Sequence, residues 1–167
     1  MPDGITDEHV QPPRGGRGAS PLSLLILAGV VALGPSGLAG RERSWSTEGG
    51  GAEVVIHSSE VIRSGEFFEM RISIDSSEPV GELVIGVDAS LWRDMTVNTM
   101  IPAAADERSE AGQFLFSFGA LEPGETFDLK VDLQVNPDAL GNNPGAVRVL
   151  DGERVLASVE VGIGVLP

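Results

Sequence analysis

Apolar and polar residues alternate along two neighbouring segments of residues 112–135, and this alternation constrains the fold more than any other feature of the sequence. Successive side chains of a β-strand point to opposite faces, so a period of two places the apolar set on a buried face. Pro123 and Gly124 lie between the segments and have the φ preferences of a tight turn. We therefore expect a β-hairpin with a largely apolar inner face. Its inward residues are Phe114, Phe116, Phe118, Phe127, Leu129, Val131, Leu133 and Val135.

Strand-sized runs with the same alternation lie before and after this hairpin. Asp151-Gly152 separates the last two runs and is a typical two-residue hairpin turn. Residues 102–112 and 136–145 are expected as loops. With about eight strands at short spacing and no intervening helices, residues 52–167 are predicted to form an all-β, immunoglobulin-like antiparallel β-sandwich. The other predicted strands are Ala52–His57, Glu66–Asp75, Val80–Ala89, Met95–Ile101, Ala146–Leu150 and Glu153–Val165.

The N-terminal part is expected to have a different organisation. Residues 1–20 are rich in proline and glycine and predict a disordered tail. Residues 21–40 carry no charge, and 20 helical residues reach about 30 Å, enough to cross a bilayer core as a transmembrane helix. Residues 41–51 are polar, end in three glycines, and predict a flexible tether.

The apolar segment has two interpretations. It is either an uncleaved single-pass anchor or a signal peptide, since Pro35 breaks the helix and the small residues Gly37 and Ala39 are spaced like a cleavage motif. Basic residues on the two sides are balanced, so charge does not fix the orientation. Both interpretations lead to export, and we expect the C-terminal domain to lie outside the cytoplasm, at the cell membrane.

Composition excludes several function classes. The net charge of −14 makes nucleic acid an improbable partner, because an acidic surface repels phosphates. With no cysteine, disulfides, thiolate metal sites and cysteine nucleophiles are excluded. The chain also lacks the common nucleotide-binding, hydrolase and zinc-protease motifs. The polar residues next to His57 are on the same expected strand, where adjacent side chains face opposite sides, so they are poor catalytic partners for it. We therefore expect no enzyme activity, no cofactor and no metal site.

Calcium binding is the alternative that the carboxylates leave open. Oxygen ligands on loops suit this ion, although neither of the two candidate loops has EF-hand spacing. A glycosidase with paired carboxylates is a weaker alternative. The candidate calcium ligands are Asp106, Glu107 and Glu110 in the first loop, and Asn136, Asp138, Asn142 and Asn143 in the second.

The segment Leu91–Pro102 is the most distinctive in composition. Trp92, Met95 and Met100 are large, adaptable apolar side chains of the kind that binding surfaces favour. The competing interpretation is that Trp92 packs between the two sheets, as a tryptophan of a sandwich often does. These three residues are the candidate interaction surface.

Three motifs together resemble a family of small uncharacterised bacterial proteins with one N-terminal membrane helix and an exported, immunoglobulin-like β-sandwich. They are Trp92…Met95-Thr96…Asn98-Thr99…Pro102, Phe118-Gly119-x-Leu121-x-Pro123-Gly124-Glu125, and Gln134-Val135-Asn136-Pro137. The resemblance covers residues 22–167 and departs at Pro35, which interrupts the apolar stretch. It implies a membrane topology and supplies no catalytic residues.

The sequence thus predicts a membrane-tethered extracytoplasmic β-sandwich that is a non-catalytic binding or scaffolding module. Its partners would be the membrane, through the anchor, and an integral membrane protein or envelope component. The alternative is a secreted ligand- or calcium-binding domain after removal of a signal peptide.

Overall fold

The computed structural model describes residues 20–33 and 41–167, which belong to two separate units. In the first unit, helix α1 spans Pro21–Leu33 and carries no acidic residue in its first turn and no basic residue in its last. Within the described ranges no helix has both the length and the apolar character needed to cross a membrane. Residues 34–40 of the predicted transmembrane segment, and residues 1–19 of the predicted tail, lie outside the described residues.

The second unit contains ten strands, two more than expected. They are β1 Arg41–Gly49, β2 Ala52–Arg63, β3 Phe67–Ser76, β4 Val80–Asp88, β5 Met95–Ile101, β6 Asp106–Glu110, β7 Gln113–Leu121, β8 Thr126–Val135, β9 Gly141–Asp151 and β10 Arg154–Leu166.

These strands form one hydrogen-bonded sheet in the order β5-β8-β3-β2-β10-β9-β4-β7-β6, with β1 also paired to β2. The sheet curls so that β5-β8-β3-β2 forms one layer and β10-β9-β4-β7-β6 the other, which confirms an all-β sandwich. The layers join where Gly164–Leu166 of β10 runs parallel to Val61–Arg63 of β2. The expectation of a purely antiparallel sheet is therefore wrong at this pair, and the immunoglobulin-like type stays a prediction.

A single hydrophobic core fills the space between the layers. Along β3, Phe68, Met70, Ile72 and Ile74 are buried and alternate with residues that are exposed or half-buried, as the period of two predicts. Residues of both layers belong to the same buried cluster.

The predicted hairpin of residues 112–135 is wrong in its pairing. Strand β7 pairs with β4 and β6, whereas β8 pairs with β3 and β5, so the two arms lie in opposite layers. The turn between them is present, with Gly124 at a φ of 80°, and it crosses from one layer to the other. Phe118 and Phe127 meet across the core with ring centroids 4.9 Å apart. Alternation fixes which face a strand buries, but it does not fix the strand's neighbour.

Two segments expected to lack regular structure are strands. Residues 41–49 of the predicted flexible tether pair with β2 along nearly their whole length. Exposed side chains alternate with half-buried ones in the second half of this strand, where Trp45 and Thr47 are half-buried. The acidic segment Asp106–Glu110, expected as part of a loop, pairs with β7 at the edge of the sheet. All five of its side chains are exposed, so it has no apolar alternation to reveal it.

The final hairpin is confirmed, with its turn displaced by one residue. Arg154 pairs with Asp151, which leaves Gly152 and Glu153 as the two-residue loop between β9 and β10. Gly152 has a φ of 59°, as the first loop position of a type II′ turn requires. Strand β9 begins at Gly141, so the preceding loop is shorter than expected.

Candidate binding groove

The curled sheet leaves a groove between β5 and β6, the two ends of its strand order. These strands are consecutive in the chain and are joined by residues 102–105, but they do not pair with each other. The groove has a volume of about 420 Å³. Its lining combines aromatic, aliphatic and polar residues: Trp92, Met95, Val97, Met100, Glu107, Arg108, Ser109, Phe114 and Phe116.

A bulge in β5 brings the two predicted methionines to the same face. Met95 and Val97 pair with Val135 and Leu133, whose side chains point into the core, and Met100 pairs with inward Val131. Strict alternation from Met95 would have turned Met100 outward. The register shift at Asn98 inserts one residue and restores Met100 to the inner face.

Trp92 is only 5% exposed and forms the base of the groove rather than a projecting contact. Its ring stacks on Phe114, with centroids 6.3 Å apart, and meets Phe116 at 5.8 Å with a tilt of 48°. The interpretation that Trp92 packs between the layers is therefore correct for this side chain. Its Nε1 atom has no hydrogen-bond partner among the described residues. The open part of the groove is formed instead by half-buried Met95 and Met100 and by Val97, which is 41% exposed.

The loop that places Trp92 is held against β9. The side-chain amide of Asn143 donates a 2.7 Å hydrogen bond to the carbonyl oxygen of Arg93. Gly145 allows the close approach, since a Cβ atom there would lie 2.9 Å from the Cβ of Leu91 and 3.0 Å from the Cβ of Asp88. Asn143 was a candidate ligand in the calcium-binding alternative, and the residue is instead buried in this structural contact.

Asp88 anchors the start of the same loop. One carboxylate oxygen accepts a 2.8 Å hydrogen bond from the amide nitrogen of Ala146, and the other accepts from Arg148. Burial by itself would raise the pKa of Asp88, but the hydrogen bonds from Arg148 and Ala146 and the charge of Arg148 together hold this pKa below its usual value. The carboxylate is thus ionised and paired under ordinary conditions.

The β6 side of the groove is acidic. Arg108 forms an ion pair with Asp106, with 3.8 Å between charged atoms. Glu107 pairs in register with inward Phe116 and lines the groove. Within the described part of the chain, Glu107 and Glu110 have no ion-pair partner. The two strands that flank the groove therefore differ in charge, because β5 has no charged residue.

His57 and the acidic calcium candidates of residues 106–110 lie on different strands of the described structure. His57 is exposed, and its Nδ1 atom lies 2.7 Å from the hydroxyl oxygen of Ser44 on the neighbouring strand. Over residues 20–33 and 41–167, no group of three or more His, Asp or Glu side chains is arranged to hold a metal ion. The calcium candidates Asp106, Glu107 and Glu110 lie along one edge strand.

Charged residues on the outer face of β3 and β8 pair with one another. Lys130 lies 2.7 Å from Glu69, which also contacts Arg71. Lys130 and then Arg71 lower the pKa of Glu69, and Glu69 raises the pKa of Lys130. This face is a solvated network of ion pairs.

The sequence did not identify Val97, Glu107, Phe114 and Phe116 as groove residues. Phe114 and Phe116 were expected only as core residues, and Glu107 as a loop residue and candidate calcium ligand. A possible signal for Val97 was its place in an uncharged, β-branched segment, but the bulge that organises this face has no signature in the sequence.

Comparisons with known proteins found no matching family model and no matching curated protein. Among solved structures, CaCohA2 from Clostridium acetobutylicum is 19% identical, covers 63% of this chain and 84% of its own, and gives a TM-score of 0.45. A non-cellulosomal cohesin from Archaeoglobus fulgidus is 12% identical, with coverages of 66% and 88% and a TM-score of 0.42. The C-terminal domain of wzt is 14% identical, with coverages of 77% and 82% and a TM-score of 0.44. At these values the similarities assign neither a family nor a ligand to this chain.

Proposed function

We propose that this protein is a non-catalytic binding module, tethered to the cell membrane with its β-sandwich outside the cytoplasm, which binds a membrane or envelope protein in the groove between β5 and β6. The groove itself carries the proposal. It has an aromatic base, an apolar wall with no charge, and an opening at the edge of a sheet.

The side chains of this wall suit a protein partner. Met95 and Met100 are unbranched and adjust to the shape of an incoming surface. Val97 at 41% exposure and Ile101 at 56% add apolar area on the two faces of the same strand. Desolvated apolar contacts around a buried aromatic base are typical of the centre of a protein interface.

The tether is proposed from helix α1. Its apolar side chains are exposed on all sides, among them Leu25 at 70%, Leu22 at 66% and Val31 at 66%. A helix that is apolar all round needs an apolar environment. Its 13 residues cover about 20 Å at 1.5 Å per residue, so the anchor would need part of residues 34–40 to span a bilayer. Cleavage after this segment would instead produce a secreted ligand-binding domain.

Fractionation of the cells that make the protein, with mass analysis of its N-terminus, tests the tether. A membrane-bound protein that retains residues 1–40 supports the anchor. A soluble form that begins at Gly40 refutes it and supports secretion. External protease should digest the β-sandwich of intact cells if that domain lies outside.

Two matched substitutions test the groove. Val97 and Val155 are both exposed valines, at 41% and 53%, on different parts of the sheet. In gently solubilised membranes, Val97→Lys should release the protein from its native complex, because the charge lies in the apolar wall. Val155→Lys should leave the complex intact. Equal behaviour of the two variants would contradict a role for the groove.

A further inference from the structure

We propose that the partner binds by strand addition, laying an extended segment with alternating apolar and basic residues along β5. This inference rests on the proposed function and specifies the chemistry of its ligand. The apolar residues of the segment would enter the groove, and its basic residues would lie near the acidic edge β6.

The two ends of the strand order, β5 and β6, are built differently. Among the described residues, β5 pairs only with β8 and β6 only with β7, so each has one unpaired side. Four of the five residues of β6 are charged, and charge is a common way to protect an edge from pairing. β5, Met95–Ile101, has neither a charged residue nor a proline within it. Its bulge at Asn98 leaves the pairing on both sides of it regular, so of these two ends β5 is the one that can accept another strand.

The β5 edge fits an added strand with a period of two, because the bulge at Asn98 absorbs the extra residue of β5, as it does against the alternating residues of β8. Met95, Val97 and Met100 face the groove, while Thr96 pairs with outward Gln134 on the other face. A strand added to β5 would continue this layer, and every second side chain would point toward Phe114 and Phe116. In strand addition the backbone hydrogen bonds provide affinity and such pockets provide specificity.

Charge selects a basic segment. Glu110 has no ion-pair partner in the described structure and pairs with Gln113, so it faces away from the groove, as the basic residues of an alternating segment would, whereas Arg108 is paired with Asp106. The whole chain has a net charge of −14, which favours a basic ligand and opposes a second copy of this chain.

The test uses synthetic peptides of seven residues, the length of β5, and the full chain. One peptide alternates valine with lysine, a second alternates valine with glutamate, and a third has the lysine peptide's composition with its valines placed together. Binding is measured by titration, and backbone hydrogen exchange reports which amides become protected. We expect the alternating lysine peptide to bind more tightly than both others and to slow exchange within residues 95–101.

Two variants connect binding to the groove and its edge, with Glu160→Gln, at an exposed side chain of β10, as the control. Glu110→Gln should weaken the lysine peptide by up to about fivefold, the range of one exposed ion pair, and should not weaken the glutamate peptide. Val97→Lys should abolish binding. Circular dichroism and melting temperature show whether each variant remains folded. Because Glu110 is exposed, its substitution should leave the core unchanged.

The outcomes separate this inference from the proposed function. If Val97→Lys releases the native complex but the lysine peptide binds without protecting β5, strand addition is wrong and the groove remains the binding site. If neither effect occurs, both proposals fail. Equal binding of the two alternating peptides overturns the choice of a basic segment. A concentration-dependent dimer of the full chain that Val97→Lys abolishes would assign the edge to a second copy, against the inference.

Discussion

Replacing Phe116 with alanine should destabilise the protein strongly, because this side chain supports both the core and the groove. Phe116 is 8% exposed and contacts the ring of Trp92 at a centroid distance of 5.8 Å. Removal of a buried phenylalanine costs about 3 to 5 kcal/mol, of which the aromatic contact contributes roughly 0.5 to 1.5 kcal/mol. Typical domains are stable by only about 5 to 15 kcal/mol, so the loss is a large part of the total.

The variant Phe67→Ala is the matched control, because it removes the same side chain at a position where the phenylalanine is 69% exposed. Full burial of such a side chain contributes about 1.5 to 3 kcal/mol, and with under a third of Phe67 buried we expect a loss of roughly 0.5 to 1 kcal/mol. Urea unfolding followed by circular dichroism measures both values, with equal slopes m as the condition for comparison. Similar losses at the two positions would refute the assignment of Phe116 to the core between the layers.

Three further predictions concern the supports of the fold and the groove. Gly145→Ala should cost about 1 to 3 kcal/mol by forcing Leu91 and Asp88 away from β9, whereas Gly81→Ala, which has room for a Cβ atom, should change the urea midpoint little. Because the pKa of Asp88 is lowered in the folded protein, its stabilisation is present above the unfolded pKa of about 3.9 and is lost as the pH falls through the folded value. The difference in melting temperature between wild type and Asp88→Asn should therefore be largest near neutral pH and should vanish in acid; a constant difference would contradict the ion pair. Hydrogen exchange at Arg41–Gly49 should be slow, as expected for a paired strand, and rapid exchange throughout would restore the flexible tether.

Alternation in the sequence was sufficient to predict most strands and their buried faces. The apolar period of β3 and β8 reports burial directly, since one face of each strand lies against the core. Strands β1 and β6 were missed because most of their side chains are exposed, and a strand that buries little has no apolar period. Pairing across β7 and β8 could not be predicted, because two strands on opposite layers show the same alternation as a hairpin.

The candidate site was predicted in part. Trp92, Met95 and Met100 do line one groove, but Trp92 is its buried base and Val97 belongs to its wall. The common face of Met95 and Met100 depends on the bulge at Asn98. The contribution of Glu107 depends on the curl of the sheet, which brings β6 opposite β5. Both are consequences of tertiary packing, and neither is encoded in a local pattern of residues.

The most direct test of the binding groove is photo-cross-linking in intact cells from two positions, Val97 and Val155. Both valines are exposed, so a photoreactive side chain is tolerated at each. The account predicts one defined adduct with a membrane or envelope protein from position 97. This adduct should be absent from position 155 and should be lost when Met95 and Met100, which line the groove, are both replaced with lysine. The same adduct from both positions, or none from position 97, would contradict it.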